Sequence, residues 1–504
     1  MPEKLVTWID KHLIAFLVSV LVLRTGFLFY SGLALVGDES YYWDWSRHPD
    51  WCYYSKPPMV AWLIGAMTWV FGDYTAILRL PAVLLGTVFL WFFHATAQAF
   101  YGRKAAALAL LLILATPGNV LANLIMTIDP PLYCFWIMTL YYLRRAIFDQ
   151  QIRAWFWAGC ATAAGLLSKQ VAIALPLMLL IFILLDRRRY QWLKREFLSY
   201  LLPIIIAAIP ILLWNQQHDW VMFDHSKEHF THQGATSIID SFKNVKNLIF
   251  YQLLLISPLI FIAVFIASLQ AVTGFNRLPA DQQFLVLMGP AMLLGVVILS
   301  FMQKVQGNWP MPFYFTALIL LSGQWQQGRW ERLFDYGLKI GLLMVSVTYL
   351  LPTLLLVFNL QNTRFDPTKR FNHWPEVADN VQAERMLALP GLENTFIVAY
   401  GHRNLASMLA FYLPDHPRVF RFESSGEIKT QYELWNGPED FAGGNAFIAS
   451  DTMLIPKQIQ TAFINFRFLK QIPNPMHPES PFFLFVGEQL THWPAPSHQP
   501  VPME

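Results

Sequence analysis

The chain has 504 residues, 55% of them hydrophobic and only 14% charged, with a formal net charge of +3 and a mean hydropathy of +0.38. A row of soluble domains would carry more charge, so composition excludes that class; the small net charge says nothing about nucleic acid, and no nucleic-acid partner is expected. Long apolar runs such as Ala105–Ala115 and Val171–Leu185, with 19 Trp and 40 Phe, point to a polytopic helical membrane protein with aromatic rings at the headgroup level.

Taken in order, the N-terminal MPEKLVTWIDKH leads into an apolar run too long for a signal-peptide core, and is expected to remain as an uncleaved first span. Runs near the length needed to cross the hydrocarbon fall at 12–34, 79–99, 104–122, 130–148, 154–168, 170–186, 198–214, 247–269, 283–302, 311–324 and 337–358. That gives about eleven spans, with a range up to thirteen because 154–168 and 311–324 are short. An odd number places the two ends on opposite sides. With the N-terminus inside, the inner connections hold sixteen Lys and Arg and the outer ones eight. This asymmetry sets the orientation and puts everything after residue 358 outside. Cys52, Cys134 and Cys160 show no CxxC spacing, and two of them lie in apolar segments, so no disulfide framework is expected.

The outer segment Gly37–Trp62, GDESYYWDWSRHPDWCYYSKPPMVAW, holds more chemistry than a connector needs. Asp38 and Glu39 are adjacent and cannot both aim at one atom, which suggests one catalytic group and one supporting partner. An Asp at the outer end of a membrane helix can act as a general base; alternatively it is a solvated acid capping the next helix. Lys56, before Pro57-Pro58, can hold a phosphate or simply snorkel at a helix start. A helix from Met59, amphipathic and lying on the membrane surface, is expected after the prolines. Tyr41, Tyr42, Trp43, Trp45, Trp51, Tyr53 and Tyr54 can stack on sugar faces, although anchoring in headgroups fits most of them better.

Further along, Asp129 precedes Pro130-Pro131 in LIMTIDPPL, as an acid near the membrane edge or as a helix cap. The segment Asn215–Lys246 contains His218, His225, His229 and His232; the last three have helical spacing, but with no HExxH they read better as wet loop histidines, and no metal is assigned. Lys304–Pro310, KVQGNWP, places Lys304, Asn308 and Trp309 at the mouth of the following span. Arg24, inside the first span, is a functional candidate or pairs with an acid at the outer face. After residue 360 the apolar runs shorten to strand length at Phe396–Tyr400, Arg418–Phe422, Ala446–Ser450 and Phe482–Val486. Arg403–Tyr412 has helical spacing between the first two. The expected organisation is a transmembrane domain over 1–359, with a first outer loop at 35–78, and an extracytoplasmic α/β domain over 360–504. No internal repeat is visible, which weakens a transporter reading.

The motifs GDESYYW, YYSKPPMVAWL, TIDPPL and KVQGNWPMPFY, with the span pattern, resemble the GT-C glycosyltransferases, most closely the bacterial aminoarabinose transferase and protein O-mannosyltransferase superfamily (families 39 and 83). The resemblance implies a polyprenyl-phosphate sugar donor, an acceptor reached from the outer face of a bacterial inner membrane, and inversion at the anomeric carbon. Asp38 matches the catalytic first-loop Asp, Lys56 the phosphate-contacting Lys and Asp129 the second acid. The candidate site is therefore Asp38, Glu39 and Asp129 as the acids, Lys56 and Lys304 for the donor phosphate, and Tyr41, Tyr42, Tyr54, Asn308 and Trp309 for substrate. No cofactor is assigned, although Asp129 could hold a divalent cation near the phosphate or orient the acceptor. Tyr41 stands where the aminoarabinose transferases have Arg, and Ser55 where they have Glu, so neither aminoarabinose nor zinc is carried over. The expected acceptor is lipid A or another envelope glycan. A protein O-glycosyltransferase of the same fold, a flippase for lipid-linked sugars and a non-catalytic scaffold are the alternatives.

Overall fold

The computed structural model describes residues 2–193, 195–231, 237–326, 331–391 and 393–494. Helices follow in chain order: α1 Pro2–Lys11, α2 Leu13–Tyr30, α3 Gly37–Ser46, α4 Met59–Phe71, α5 Thr75–Leu114, α6 Pro117–Leu124, α7 Asp129–Ile147 and α8 Ile152–Ser168. They continue with α9 Ala174–Leu184, α10 Arg195–Gln217, α11 Val221–Thr231, α12 Ile238–Ile256, α13 Pro258–Thr273, α14 Ala280–Met288, α15 Pro290–Met302, α16 Met311–Gln326 and α17 Glu331–Val357. By contact the chain divides into two compact units. The first is Met1–Ser31, Lys56–Val60 and Arg79–Leu351; the second is Gly32–Ser55, Ala61–Leu78 and Pro352–Glu504.

In the first unit a helix lies at every expected span, but several are broken where the sequence suggested continuity. α5 covers both the 79–99 span and the start of the next and is interrupted between them, as expected, at Gly102, whose φ of 80° suits a residue without Cβ. The span expected over 104–122 stops at Ala115 because Pro117 opens a new helix. The one expected over 247–269 is two helices bent by 114°, since Ser257 sits at φ 75° and Pro258 cannot donate to α12. Gly289 and Pro290 part α14 from α15, but Ala280–Met302 still counts as one span. Among the described residues, five helices are long and apolar enough to cross a membrane by themselves, and seven if each bent pair is one span. Large apolar side chains face outward on the long helices, as at Val22 (64% exposed), Ile206 (58%) and Leu343 (63%). Water would penalise that surface and lipid would not, so this is a multi-pass membrane protein.

Small and hydroxylated residues bring α7, α8 and α10 together. A Cβ at Gly159 would overlap the Tyr200 carbonyl, so only glycine permits the approach of α8 to α10. Beside it Thr162 links Thr139 (3.2 Å) and the Tyr200 hydroxyl (3.1 Å), satisfying three buried hydroxyls among three helices. Arg24 is fully buried in α2, where it donates to Asn119 Oδ1 at 2.7 Å. This partner is a buried amide and not an outer-face acid, the second of the two readings given for Arg24.

The second unit contains a five-stranded sheet. Its strands are β1 Thr395–Tyr400, β2 Val419–Phe422, β3 Asn445–Ser450, β4 Phe463–Ile472 and β5 Phe482–Leu490, in the order β2-β1-β3-β5-β4. β2, β1 and β3 are parallel, joined from β1 to β2 through a helix at Arg403–Tyr412, numbered α20 after α18 (Lys369–Asn372) and α19 (Trp374–Ala388). β5 and β4 complete the sheet antiparallel. Most of the first outer loop, which the sequence groups with the membrane domain, belongs to this second unit as Gly32–Ser55 and Ala61–Leu78, with α3 against α20.

Candidate active site

α3 presents Asp38 in its first turn, where a carboxylate complements the helix dipole. The two neighbouring acids do different things. Glu39 is fully buried, and one of its oxygens accepts the Val36 amide at 3.0 Å, which fixes the start of the helix. It therefore supports the backbone and does not face the outside as a catalytic acid. Asp38 is half exposed, and Oδ1 accepts from Arg403 Nη2 at 2.7 Å. Arg403 begins α20, and its guanidinium lies 4.4 Å over the Tyr41 ring. Burial disfavours the Arg403 charge, but Asp38 and the two tyrosines Tyr41 and Tyr42 outweigh that, and its pKa is raised.

The loop aromatics form a small core. Tyr41 is buried and its hydroxyl accepts from the Gln431 amide at 2.6 Å. Burial, together with Glu433 nearby, pushes its pKa up to about 12 against the opposing pull of Arg403. The Gln431 side chain in turn accepts from the Tyr54 amide at 2.7 Å. Trp45 stacks on Tyr53 with ring centroids 4.5 Å apart. Tyr42 and Tyr54 are also buried, so none of the three tyrosines expected to meet a sugar has an open face. Trp51, at 57% exposed, is the one aromatic of the set that could anchor in headgroups. Gln431, the partner of Tyr54 and Tyr41, lies 377 and 390 residues away from them in the chain. α4 starts at Met59 as expected, but it is apolar on nearly all sides instead of amphipathic.

A second cluster lies within the membrane unit. Asp129, at the first position of α7, is buried; Oδ1 accepts from Lys169 Nζ at 2.8 Å and Oδ2 from Asn308 Nδ2 at 2.6 Å. Lys169 thus supplies the positive charge that a cation beside this carboxylate would otherwise bring. Asn308 belongs to the loop between α15 and α16, which is held further by Gln252 donating to the Gly307 carbonyl at 2.9 Å. A Cβ at Gly307 would come within 2.8 Å of Tyr251. The loop therefore keeps Lys304 exposed and Trp309 half buried. Lys56 is half buried in the short segment Lys56–Val60 of the same unit. Asp129 and Asn308, expected in separate roles, are direct partners.

Residues 55–214 match the family described as dolichyl-phosphate-mannose-protein mannosyltransferase. Over 421 residues the chain is 24% identical to the lipid A galacturonosyltransferase RgtD of Rhizobium johnstonii, covering 82% of this chain and 85% of that protein. In fold it is similar to ArnT from Cupriavidus metallidurans bound to undecaprenyl phosphate, with a TM-score of 0.63 at 17% identity over 94% of this chain and 97% of the other. The chain has an ArnT-like GT-C fold. A more distant GT-C likeness, with a TM-score of 0.50 at 14% identity, is to the oligosaccharyltransferase AglB from Archaeoglobus fulgidus in complex with an inhibitory peptide and a dolichol-phosphate. It covers 88% of this chain and 70% of that one.

Sequence reasoning on this GT-C chain missed Lys169 and Arg403 as site residues. Lys169 had a signal, as a lone cation between the apolar runs GLLS and QVAIALP. Arg403 had none, because its partner is 365 residues away. Of the histidines, His218 stacks on Trp214 at 4.0 Å and its Nδ1 meets the Trp214 carbonyl. The His229 side chain and all of His232 lie outside the described residues.

His48, just after α3, gives a pH prediction. Burial, with Arg418 and Arg47 nearby, lowers its pKa from 6.5 to about 4. The folded protein therefore binds this proton less readily than the unfolded chain. The stabilising effect is complete above pH ~6.5 and is lost as pH falls toward ~4. In His48→Gln, the fall in thermal midpoint over that interval is expected to be smaller than in the parent, as read by a thermal-shift series in detergent. Parallel curves would show that His48 does not contribute.

Proposed function

We propose that this protein is an inverting glycosyltransferase that moves a sugar from a polyprenyl-phosphate carrier to lipid A or another envelope glycan. The reaction takes place on the periplasmic side of the bacterial inner membrane, with the N-terminus cytoplasmic. The observation that carries this reading is Asp38, a half-exposed carboxylate fixed at the start of α3 by Arg403. The galacturonosyltransferase relative that acts on lipid A and the fold shared with an undecaprenyl-phosphate-bound ArnT support the donor and acceptor classes.

Asp38 takes the proton of the acceptor hydroxyl as its oxygen attacks the anomeric carbon. The bond from that carbon to the phosphate oxygen breaks, and polyprenyl phosphate leaves with the negative charge. Lys56 and Lys304 hold the phosphate, and positive charge placed where the leaving group develops its own is a large source of rate. Asp129 acts through Asn308, holding the loop that carries Lys304 and Trp309. No nucleotide enters, because the activated bond arrives on the lipid.

The test is a purified, reconstituted enzyme given a polyprenyl-phosphate sugar labelled in the sugar. Label is expected in the acceptor glycolipid only when both substrates are present. Donor that crosses the bilayer unchanged would identify a flippase instead.

A further inference from the structure

Beside α3, the second unit contains a cleft that the reaction described above does not use. It runs along β2 from Arg418 to Glu423 and is closed by the segment after β2 and by the chain after β5. About 60 Å³ is open inside it, and its mouth faces solvent. Two indoles, Trp435 and Trp493, form its walls. Each meets another ring at right angles, Trp435 with Tyr432 at 5.4 Å between centroids and Trp493 with Phe422 at 5.8 Å, and His48 also packs on Trp435 at 4.5 Å. Gly437 makes room for this. A Cβ there would lie 2.6 Å from Trp493 Cδ1 and 2.7 Å from Glu439 Oε1, so an indole and a carboxylate close over one backbone position.

Between the walls the lining is polar. Arg421 is pinned by Glu433 and by Glu423, the latter at 3.0 Å, and its Nε donates to the Gly401 carbonyl at 3.0 Å. Arg418 donates to the Asn436 carbonyl at 2.6 Å. Four carboxylates, Glu423, Glu427, Glu433 and Glu439, face two guanidiniums, a net charge of −2. Lys429, at the rim on Glu423 and Glu427, reduces that without reversing it. Fixed apolar faces with hydrogen-bonding groups at their edges suit a pyranose ring, whose C–H faces stack while its hydroxyls pair. The negative balance disfavours a phosphate or a uronate and accepts a neutral or amino sugar.

The cleft is tied to Asp38 through three residues in turn, Tyr432, Tyr41 and Arg403. Tyr432 lines it, donates to Asp44 Oδ2 of α3 at 2.7 Å, and packs on Tyr41 at 5.7 Å; Tyr41 carries the Arg403 guanidinium that holds Asp38. We propose that the cleft between Trp435 and Trp493 is a subsite for a neutral or amino-sugar ring of the acceptor glycan. This rests on the glycosyltransferase reading for the word acceptor, but the binding can be tested without turnover.

The test uses full-length Asp38→Asn protein in nanodiscs and saturation-transfer NMR, with glucosamine, N-acetylglucosamine and galacturonic acid as probes. The first two are expected to give saturable transfer, weakened at least tenfold by Trp435→Ala and by Trp493→Ala and partly restored by Phe at either position. Galacturonic acid is expected to give little. Thermal midpoints of the variants measured alongside separate a lost site from a lost fold, and the rim variant Trp493→Ala carries the result if Trp435→Ala unfolds. Equal transfer in all the variants, or a preference for galacturonic acid, would overturn the proposal. Binding that survives while the parent enzyme shows no glycosyl transfer would leave the sugar subsite standing and remove its role as an acceptor site.

Discussion

Asp38→Asn is expected to lower kcat by ~10³-fold, within the range that a positioned general base contributes, with little change in donor KM. The substitution keeps the shape of the side chain and its place at the start of α3, but removes the charge and the ability to take a proton. The fold should tolerate it. Asp38 is half exposed, and its pair with Arg403 is the kind of partly solvated salt bridge worth only ~1 kcal/mol or less. A matched thermal midpoint with lost turnover therefore assigns Asp38 to the chemistry. Turnover within a few-fold of the parent would remove it as the base.

Arg403→Ala is expected to lower kcat by ~10²-fold, the scale that follows when a reacting group is no longer held in its productive geometry. Arg403 has its salt bridge to Asp38 and its cation–π contact with Tyr41, so the substitution releases the carboxylate and, elsewhere in α3, removes the contact with the Tyr41 ring. Arg403→Lys keeps the charge but loses the planar fork, and should recover part of the rate. A double-mutant cycle adds a readout that general destabilisation would not produce. If Arg403 acts through Asp38, then Asp38→Asn with Arg403→Ala should be no slower than Asp38→Asn alone, within about threefold. Multiplicative losses would mean that Arg403 works independently of Asp38. A faster Arg403→Ala enzyme would mean that the pair restrains the base.

Much of the candidate site was legible because its residues are close together in the chain. GDESYYW and TIDPPL each place an acid at the first turn of a helix, and α3 and α7 begin there. The division of work between Asp38 and Glu39 also follows from adjacency, since one side chain must turn back to the Val36 amide when the other points away. What the sequence hides is what folds onto these residues. The loop aromatics look like headgroup anchors because amphipathic rings in an outer loop usually are. Here they are buried through Gln431 and Tyr432, which no local pattern connects to them. The same distance conceals Arg403.

The fold was misread where one residue overrides a continuous apolar pattern. Ser257 and Pro258 bend the stretch expected as a single span by 114°, and hydropathy is blind to that angle. β4 was missed for a different reason. FINFRFLKQI lies at the sheet edge with most of its side chains in solvent, so the alternation that marks a half-buried strand is absent, and its charges at Arg467 and Lys470 are those an edge strand uses against unwanted pairing. The parallel strands β1 and β3 are buried almost throughout and were readable as short apolar runs.

The central claim is that this protein breaks the bond between a sugar and its lipid phosphate and makes a new glycosidic bond. The most direct measurement follows both products of one reaction in proteoliposomes, with the donor labelled in the sugar and, separately, in the polyprenyl chain. One free polyprenyl phosphate should appear for each sugar found on the acceptor, with opposite anomeric configuration in donor and product, and both should disappear in Asp38→Asn. Donor recovered intact on the far side of the bilayer, with no polyprenyl phosphate released, would contradict the account.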